Sequence, residues 1–214
     1  MEAIYLKRLY FIRHGETEWN KKNIVQGIQD IDLNEIGIQQ AKKIALRLKE
    51  NKIDAIYTSD LKRAINTANE IVKYHQSSFF EINPLLREIQ FGEWEGLSLE
   101  ELNATYYEQY SKWRTNPIEA TFPGEGNLHN VKKRVSKFLE VILESQYNNI
   151  VIVTHGGIIK MALIILLDLD LSFYKKCWFG NASLSIIDIK QDKALITCLN
   201  DMSHLSNNII EPYF

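Results

Sequence analysis

Two uninterrupted apolar runs stand out along the chain, Leu9-Tyr10-Phe11-Ile12 and Ile150-Val151-Ile152-Val153. Each ends at a His-Gly step, Arg13-His14-Gly15 in the first case and Thr154-His155-Gly156 in the second. Apolar runs this short, closed by polar and glycine residues, predict buried strands whose carboxyl ends carry loops. Residues 53–58 (IDAIYT) predict another strand. Between the first two strands, Ile38, Ala41, Ile44, Ala45 and Leu48 fall at helical spacing behind Asn34, a good N-cap. That pattern predicts a helix of about 15 residues ending near Asn51. Ser59 or Asp60 is placed to cap a second helix, whose buried face would hold Leu61, Ala64, Ile65, Ala68, Ile71 and Val72.

The middle of the chain reads differently. Residues 81–96 predict a short extended piece and then a loop rich in Glu and Gly. Residues 97–110 look helical, and residues 115–126 hold two prolines and two glycines, which predicts a loop. Asn127 caps a helix running through Glu144, and a further helix covers residues 158–167. Residues 183–189 and 194–199 alternate and suit a strand pair turning at Gln191-Asp192. Strands alternating with helices imply an α/β fold, a three-layer sandwich with helices on both faces of the sheet. Ligands in such folds bind outside the carboxyl ends of the strands. If the strands ending at His14 and His155 neighbour the one leading to Arg63, two histidines and two arginines meet there.

Composition narrows the function classes. At 214 residues, 45% hydrophobic and 24% charged, the chain suits one domain with a real core, 1–214. The formal net charge of −2, with both signs mixed, gives no nucleic-acid or membrane-surface signature. The most apolar stretch, residues 161–167, is too short to span a bilayer. Cys177 and Cys198 fit no metal spacing and read as buried thiols of a reducing compartment, so the expected location is cytoplasmic.

Arginine and histidine at strand ends suggest phosphoryl chemistry. A phosphate monoester carries close to two negative charges that need cations or N–H donors in the transition state. No dense Asp/His cluster offers a metal site, so Arg13 and Arg63 would supply planar donor forks, with no metal and no cofactor. His14 can act as nucleophile if its imidazole is neutral and a backbone carbonyl fixes its tautomer. Gly15 would let the chain turn closely beneath the phosphate. His155, at the start of a helix, adds a second cation or donor, and the helix dipole favours an anion.

Four segments in order, RHGETEWN, SDLKRAINTA, LLREIQFGEWEG and IVIVTHGG, resemble the histidine phosphatase superfamily, in its phosphoglycerate mutase-like branch. The resemblance runs from about Leu9 to Leu205. It implies a mixed, mainly parallel six-stranded sheet with a small cap inserted at about 91–125. It implies transient phosphorylation of His14, with Arg13, Arg63 and His155 completing the phosphate pocket and Glu88 as proton donor. Asn20, Gln26 and Gly27 match the loop that closes the pocket, and Gly156 matches a position whose N–H faces the phosphate. Glu93 and Glu95 are expected to be solvated or helix-capping, His75 and His129 to lie on surface helices, and His204 to pack and hydrogen-bond.

Members of the family often carry Pro-Gly-Gly-Glu-Ser before the helix that starts here near Asn127; this chain has Pro123-Gly124-Glu125-Gly126-Asn127. Three functions are weighed: a hydrolase acting on a small-molecule phosphate ester, a cofactor-dependent phosphoglycerate mutase, and a non-catalytic phospho-ligand binder. Residues 97–122 hold four glutamates against Lys112 and Arg114, a poor bisphosphate site, which favours the phosphatase. Residues 108–127 resemble alpha-ribazole phosphatases of cobalamin biosynthesis, so alpha-ribazole 5′-phosphate is the substrate this implies. The aromatics of residues 106–122 are expected to place at least one ring, from Tyr107, Trp113 or Phe122, at the pocket mouth. A homodimer is left open.

Overall fold

The computed structural model describes residues 6–191 and 193–205. The first strand, β1 (Leu6–Arg13), leads through a short helix α1 (Glu18–Lys21) to α2 (Glu35–Leu48). Then come β2 (Ala55–Thr58), α3 (Lys62–Val72) and β3 (Phe79–Ile82). Helices α4 (Leu99–Thr105), α5 (Tyr107–Thr115) and α6 (Leu128–Glu144) precede β4 (Asn149–Thr154) and α7 (Gly156–Leu166). The hairpin of β5 (Leu184–Lys190) and β6 (Lys193–Asp201) completes one six-stranded sheet in the order β3-β2-β4-β1-β5-β6. Pairings β1–β4, β2–β4 and β2–β3 are parallel, while β1–β5 and β5–β6 are antiparallel. The sheet is therefore mixed and mainly parallel, with helices on both faces, as expected.

The apolar runs are explained by the two faces they serve. Leu9, Phe11, Ile150 and Ile152 join the core beneath α6 and α7. Their alternate neighbours Tyr10, Ile12, Val151 and Val153 join the core beneath α2 and α3. A central strand covered on both sides has no solvated face, so its sequence does not alternate. Burial of each such aliphatic side chain contributes about 1.5–3 kcal/mol. Among the described residues no helix is long and apolar enough to cross a membrane.

Several elements depart from expectation. Ile38 is exposed, as is Ile36, because α2 turns Gly37 inward instead. A Cβ on Gly37 would fall 2.0 Å from the Glu16 carbonyl oxygen, so only glycine lets this helix approach the loop after β1. The predicted helix over 97–110 is two helices, broken at Tyr106 (φ −123°, ψ 36°), and the second continues to Thr115. Leu61 occupies the N-cap of α3 without a side-chain bond; Ser59 Oγ accepts from Leu61 N–H instead, and Asp60 is committed to Arg87. His75 is buried rather than on the surface, and both cysteines are only half-buried. In the β5–β6 turn Asp192 lies outside the described residues.

The exposure of Ile38 has a measurable consequence. Ile38→Ser should leave unfolding free energy within about 0.5 kcal/mol. Ile44→Ala, on the buried stripe of α2, should lose about 2–5 kcal/mol. Urea titration of both variants reads the difference, and comparable losses would contradict the assigned helix face.

Candidate active site

The carboxyl ends of β2, β4 and β1 lie side by side, since β4 pairs with both others. The register sets Arg13 opposite Thr154, and His14 N–H continues the ladder to the Thr154 carbonyl at 2.9 Å. The next residues, His14 and His155, thus stand adjacent, with ring centroids 5.1 Å apart. His14 Nδ1 lies 2.7 Å from the Gly15 carbonyl oxygen, which accepts only a protonated nitrogen. That contact holds the proton on Nδ1 and leaves Nε2 with its lone pair. Burial, then the charges of Arg63 and Arg13, push the His14 pKa well below its ordinary value, so the ring is neutral. His155 is shifted the same way, first by burial and then by Arg63. It is therefore a neutral ring rather than the second cation considered from sequence. Its Nε2 lies 3.0 Å from Ser59 Oγ.

Arg13 donates from Nη1 to the Phe179 carbonyl at 2.7 Å. Arg63, fully buried, donates from Nη2 to Gly27 O at 2.7 Å and from Nη1 to Gln29 O at 2.6 Å. Burial lowers the Arg63 pKa to about 10, which leaves it charged at neutral pH. Arg13 Nε, Arg63 Nε and His155 Nδ1 are buried without a hydrogen-bond partner. Three such nitrogens around one histidine mark a site built for an anion. Asn20 Oδ1 lies within 3.2 Å of Thr17 N, Thr17 Oγ1 and Asn181 Nδ2, which orients the amide and leaves its own Nδ2 donors for a ligand. Gln26 Oε1 lies 3.0 Å from Thr17 Oγ1.

Gly27 has φ +49°, and a Cβ there would fall 2.0 Å from Glu95 Oε1. Glu95 was expected to be solvated or to cap a helix. Instead its Oε1 accepts from Ile28 N–H (3.1 Å) and Phe91 N–H (2.9 Å), and its Oε2 from Gln29 Nε2 (3.0 Å). It ties the loop around Gly27 to the turn at Phe91. Gly15 also serves a purpose not foreseen: a Cβ there would meet Gly37 O at 2.5 Å, so the glycine admits α2.

Glu88 sits across the amino end of α7. Its Oε2 accepts from Gly157 N–H at 3.1 Å and its Oε1 from Ile89 N–H at 2.9 Å. A side chain on Gly157 would strike Glu88 Oε1 at 2.3 Å and the Tyr174 hydroxyl at 2.8 Å. A Cβ on Gly156 would instead lie 3.6 Å from Arg13 Nε, in ordinary contact. Glu88 does not pair with its neighbour Arg87, whose Nε binds Asp60 Oδ1 at 2.8 Å. A clasp behind Glu88 holds it in place. Arg134 donates to the carbonyls of Leu85 (2.7 Å) and Arg87 (2.8 Å) and forms a two-pronged pair with Glu125 (2.7 and 2.9 Å). Thr154 Oγ1 donates to Leu86 O at 2.7 Å. The glutamate of the shifted Gly-Glu-Gly motif therefore supports the site from outside.

A cavity of about 380 Å³ opens over His14, lined by Arg13, Asn20, Gln26, Gly27, Arg63 and Glu88. Its outer wall is aromatic, with Phe91, Trp94, Tyr110 and Trp113. Of the three candidate rings at the mouth, Trp113 lines the cavity, Phe122 is buried behind it, and Tyr107 points to solvent. Phe91, Trp94, Trp113 and Phe122 stack edge and face on one another at 5.1–6.3 Å. Lys160, from α7, also lines the cavity and was not singled out from the sequence. The signal was present: it is the one charged residue in GGIIKMALIIL, three and four positions beyond the glycines.

Residues 9–202 match the Histidine phosphatase superfamily (branch 1). The chain is 34% identical over 207 residues to Phosphoserine phosphatase 1 of Hydrogenobacter thermophilus, covering 96% of this chain and 98% of that one. It is 32% identical over 196 residues to Adenosylcobalamin/alpha-ribazole phosphatase of Escherichia coli, covering 90% and 95%. Among solved structures, phosphoserine phosphatase of Entamoeba histolytica in complex with 3-phosphoglyceric acid aligns with a TM-score of 0.82 and 33% identity over 93% of this chain and 99% of that one.

The neutral histidines set a pH dependence. A folded-state pKa below the unfolded value, about 6.5 for His, means the unfolded chain binds more protons in acid. Stability from this source is complete above about pH 6.5 and falls as pH drops towards the depressed folded values. Urea midpoints should therefore fall between pH 7 and 5, and His155→Gln should make that slope shallower. His75 and His204, also lowered chiefly by burial, keep it from vanishing. An unchanged slope in the variant would contradict a neutral, buried His155.

Proposed function

The chain belongs to the histidine phosphatase superfamily, and from that membership we propose that it hydrolyses small phosphomonoesters through a phosphohistidine on His14, without a metal. The observation that carries this reading is His14 itself, neutral, with Nδ1 on the Gly15 carbonyl and Nε2 free among cations. Arg13, Arg63, His155 and Asn20 hold the phosphoryl oxygens. Nε2 attacks phosphorus in line, the bond from phosphorus to the ester oxygen breaks, and Glu88 gives that oxygen its proton. A water then attacks the phosphohistidine, Glu88 takes its proton, and the N–P bond breaks to release inorganic phosphate. The arginines carry the charge that a metal carries elsewhere. Gln26 and Gly27 form the closing loop, and the Gly156 N–H faces the phosphate. Residues 91–125 act as a cap on a single domain.

A phosphatase fits better than a mutase because residues 97–122 carry four glutamates against one lysine and one arginine. Hydrolysis of alpha-ribazole 5′-phosphate rests on one observation, the Trp113 ring at the cavity wall, which suits a flat leaving group. The other aromatic faces are largely taken up by each other.

Two outcomes test the chemistry. His14→Ala should abolish turnover of every ester, and chelator should leave the wild-type rate unchanged; activity lost in chelator and restored by Mg²⁺ would overturn the metal-free reading. Glu88→Gln should slow alkyl phosphates by about a hundred- to ten-thousandfold. It should slow p-nitrophenyl phosphate far less, because that leaving group needs little proton assistance. Equal losses on both would make Glu88 a structural residue.

A further inference from the structure

Ser59 follows β2 and is wholly buried. The β2–β4 pairing sets Thr58 opposite Val153, and Ser59 N–H continues the ladder to the Val153 carbonyl at 3.0 Å. Ser59 thus reaches the level at which β4 ends, and its Oγ lies 3.0 Å from His155 Nε2. From sequence Ser59 reads only as a helix cap, and it does accept from Leu61 N–H, at 3.3 Å. The direction of its other bond decides what His155 can offer an anion.

His155 is neutral, so one of its two nitrogens carries a proton. A hydroxyl has one proton to donate and two positions at which to accept, and Leu61 N–H fills one of the latter. If Nε2–H filled the other, the buried Ser59 proton would have no acceptor among the described residues. His155 Nδ1, itself without a partner, would then present a lone pair to any anion held beside His14. In the reverse direction the hydroxyl donates to Nε2, Ser59 is satisfied, and the imidazole proton sits on Nδ1. One unmet donor remains, and a phosphoryl oxygen completes it.

We propose that Ser59 is a positioning residue: it donates to His155 Nε2 and so keeps the second histidine as an Nδ1–H donor to the phosphoryl oxygens. This rests on the phosphatase reading above and specifies how His155 serves it. The two imidazoles are then set by opposite partners. The Gly15 carbonyl holds the His14 proton on Nδ1 and frees Nε2 to attack, while the Ser59 hydroxyl occupies Nε2 of His155 and frees its N–H.

Histidine ¹⁵N spectra of the ligand-free enzyme read the tautomer, with the His155 signals assigned by their absence in His155→Gln. The wild type should show a protonated Nδ1 and a bare Nε2 at His155. In Ser59→Ala the proton should redistribute towards Nε2, and inhibition by orthovanadate should weaken by about 10-fold, the worth of one directed hydrogen bond to an anion. A capping role alone would lower stability and move neither reading. A protonated Nε2 in the wild type, or a Ser59→Ala variant with unchanged tautomer or unchanged vanadate inhibition, would overturn the proposal. The wild-type tautomer decides the matter if Ser59→Ala fails to fold. Because that tautomer is read without turnover, a wild type with Nδ1–H that hydrolyses no ester sinks the phosphatase reading and leaves the Ser59 contact standing.

Discussion

Parallel pairing of β1 with β4 is the constraint on which the site depends. In register, Arg13 stands opposite Thr154, and the ladder runs one bond further, from His14 N–H to the Thr154 carbonyl. Both chains must then leave the sheet at the same level, which sets two imidazoles 5.1 Å apart. The pairing is held by strands buried on both faces, so a slip of one residue would turn apolar side chains of each strand onto the wrong layer. The core thus fixes the distance between two side chains that belong to opposite ends of the sequence.

Electrostatics follow from that placement. Burial makes a protonated His14 unfavourable, and the two arginines add to the effect, so the imidazole stays neutral while the cations remain. On the proposed reading, a neutral imidazole among positive charges suits attack on a phosphoryl dianion. Glu88 is placed by a different set of contacts. It accepts from Gly157 N–H at the start of α7 and from Ile89 N–H, and is held from behind by Arg134, Glu125 and Thr154. Several elements distant in sequence therefore act on one carboxylate.

What the sequence disclosed, and what it did not, divides along physical lines. Short apolar runs ending in His-Gly were legible because buried strands and the loops after them have local signatures. So were the caps Asn34 and Asn127, whose side chains bond Gly37 and Asn130 N–H. The mixed sheet came from the resemblance, and the layered α/β arrangement from the alternation of elements. Glu95, Glu125 and Arg134 escaped because their partners lie on other elements, and no local pattern separates a buried clasp from a solvated charge. Ile38 misled because helical spacing does not say that a glycine next to it must face inward. Lys160 was overlooked in an apolar helix where it is the one charge.

The central claim is that Nε2 of His14 becomes covalently phosphorylated. It is tested most directly by mixing the enzyme rapidly with a ³²P-labelled ester, quenching in alkali to preserve phosphohistidine, and locating the label by peptide mapping and isomer analysis. The geometry predicts phosphate on Nε2 of His14, since Nδ1 is held by the Gly15 carbonyl. Label on His155, or on Nδ1 of His14, would contradict it.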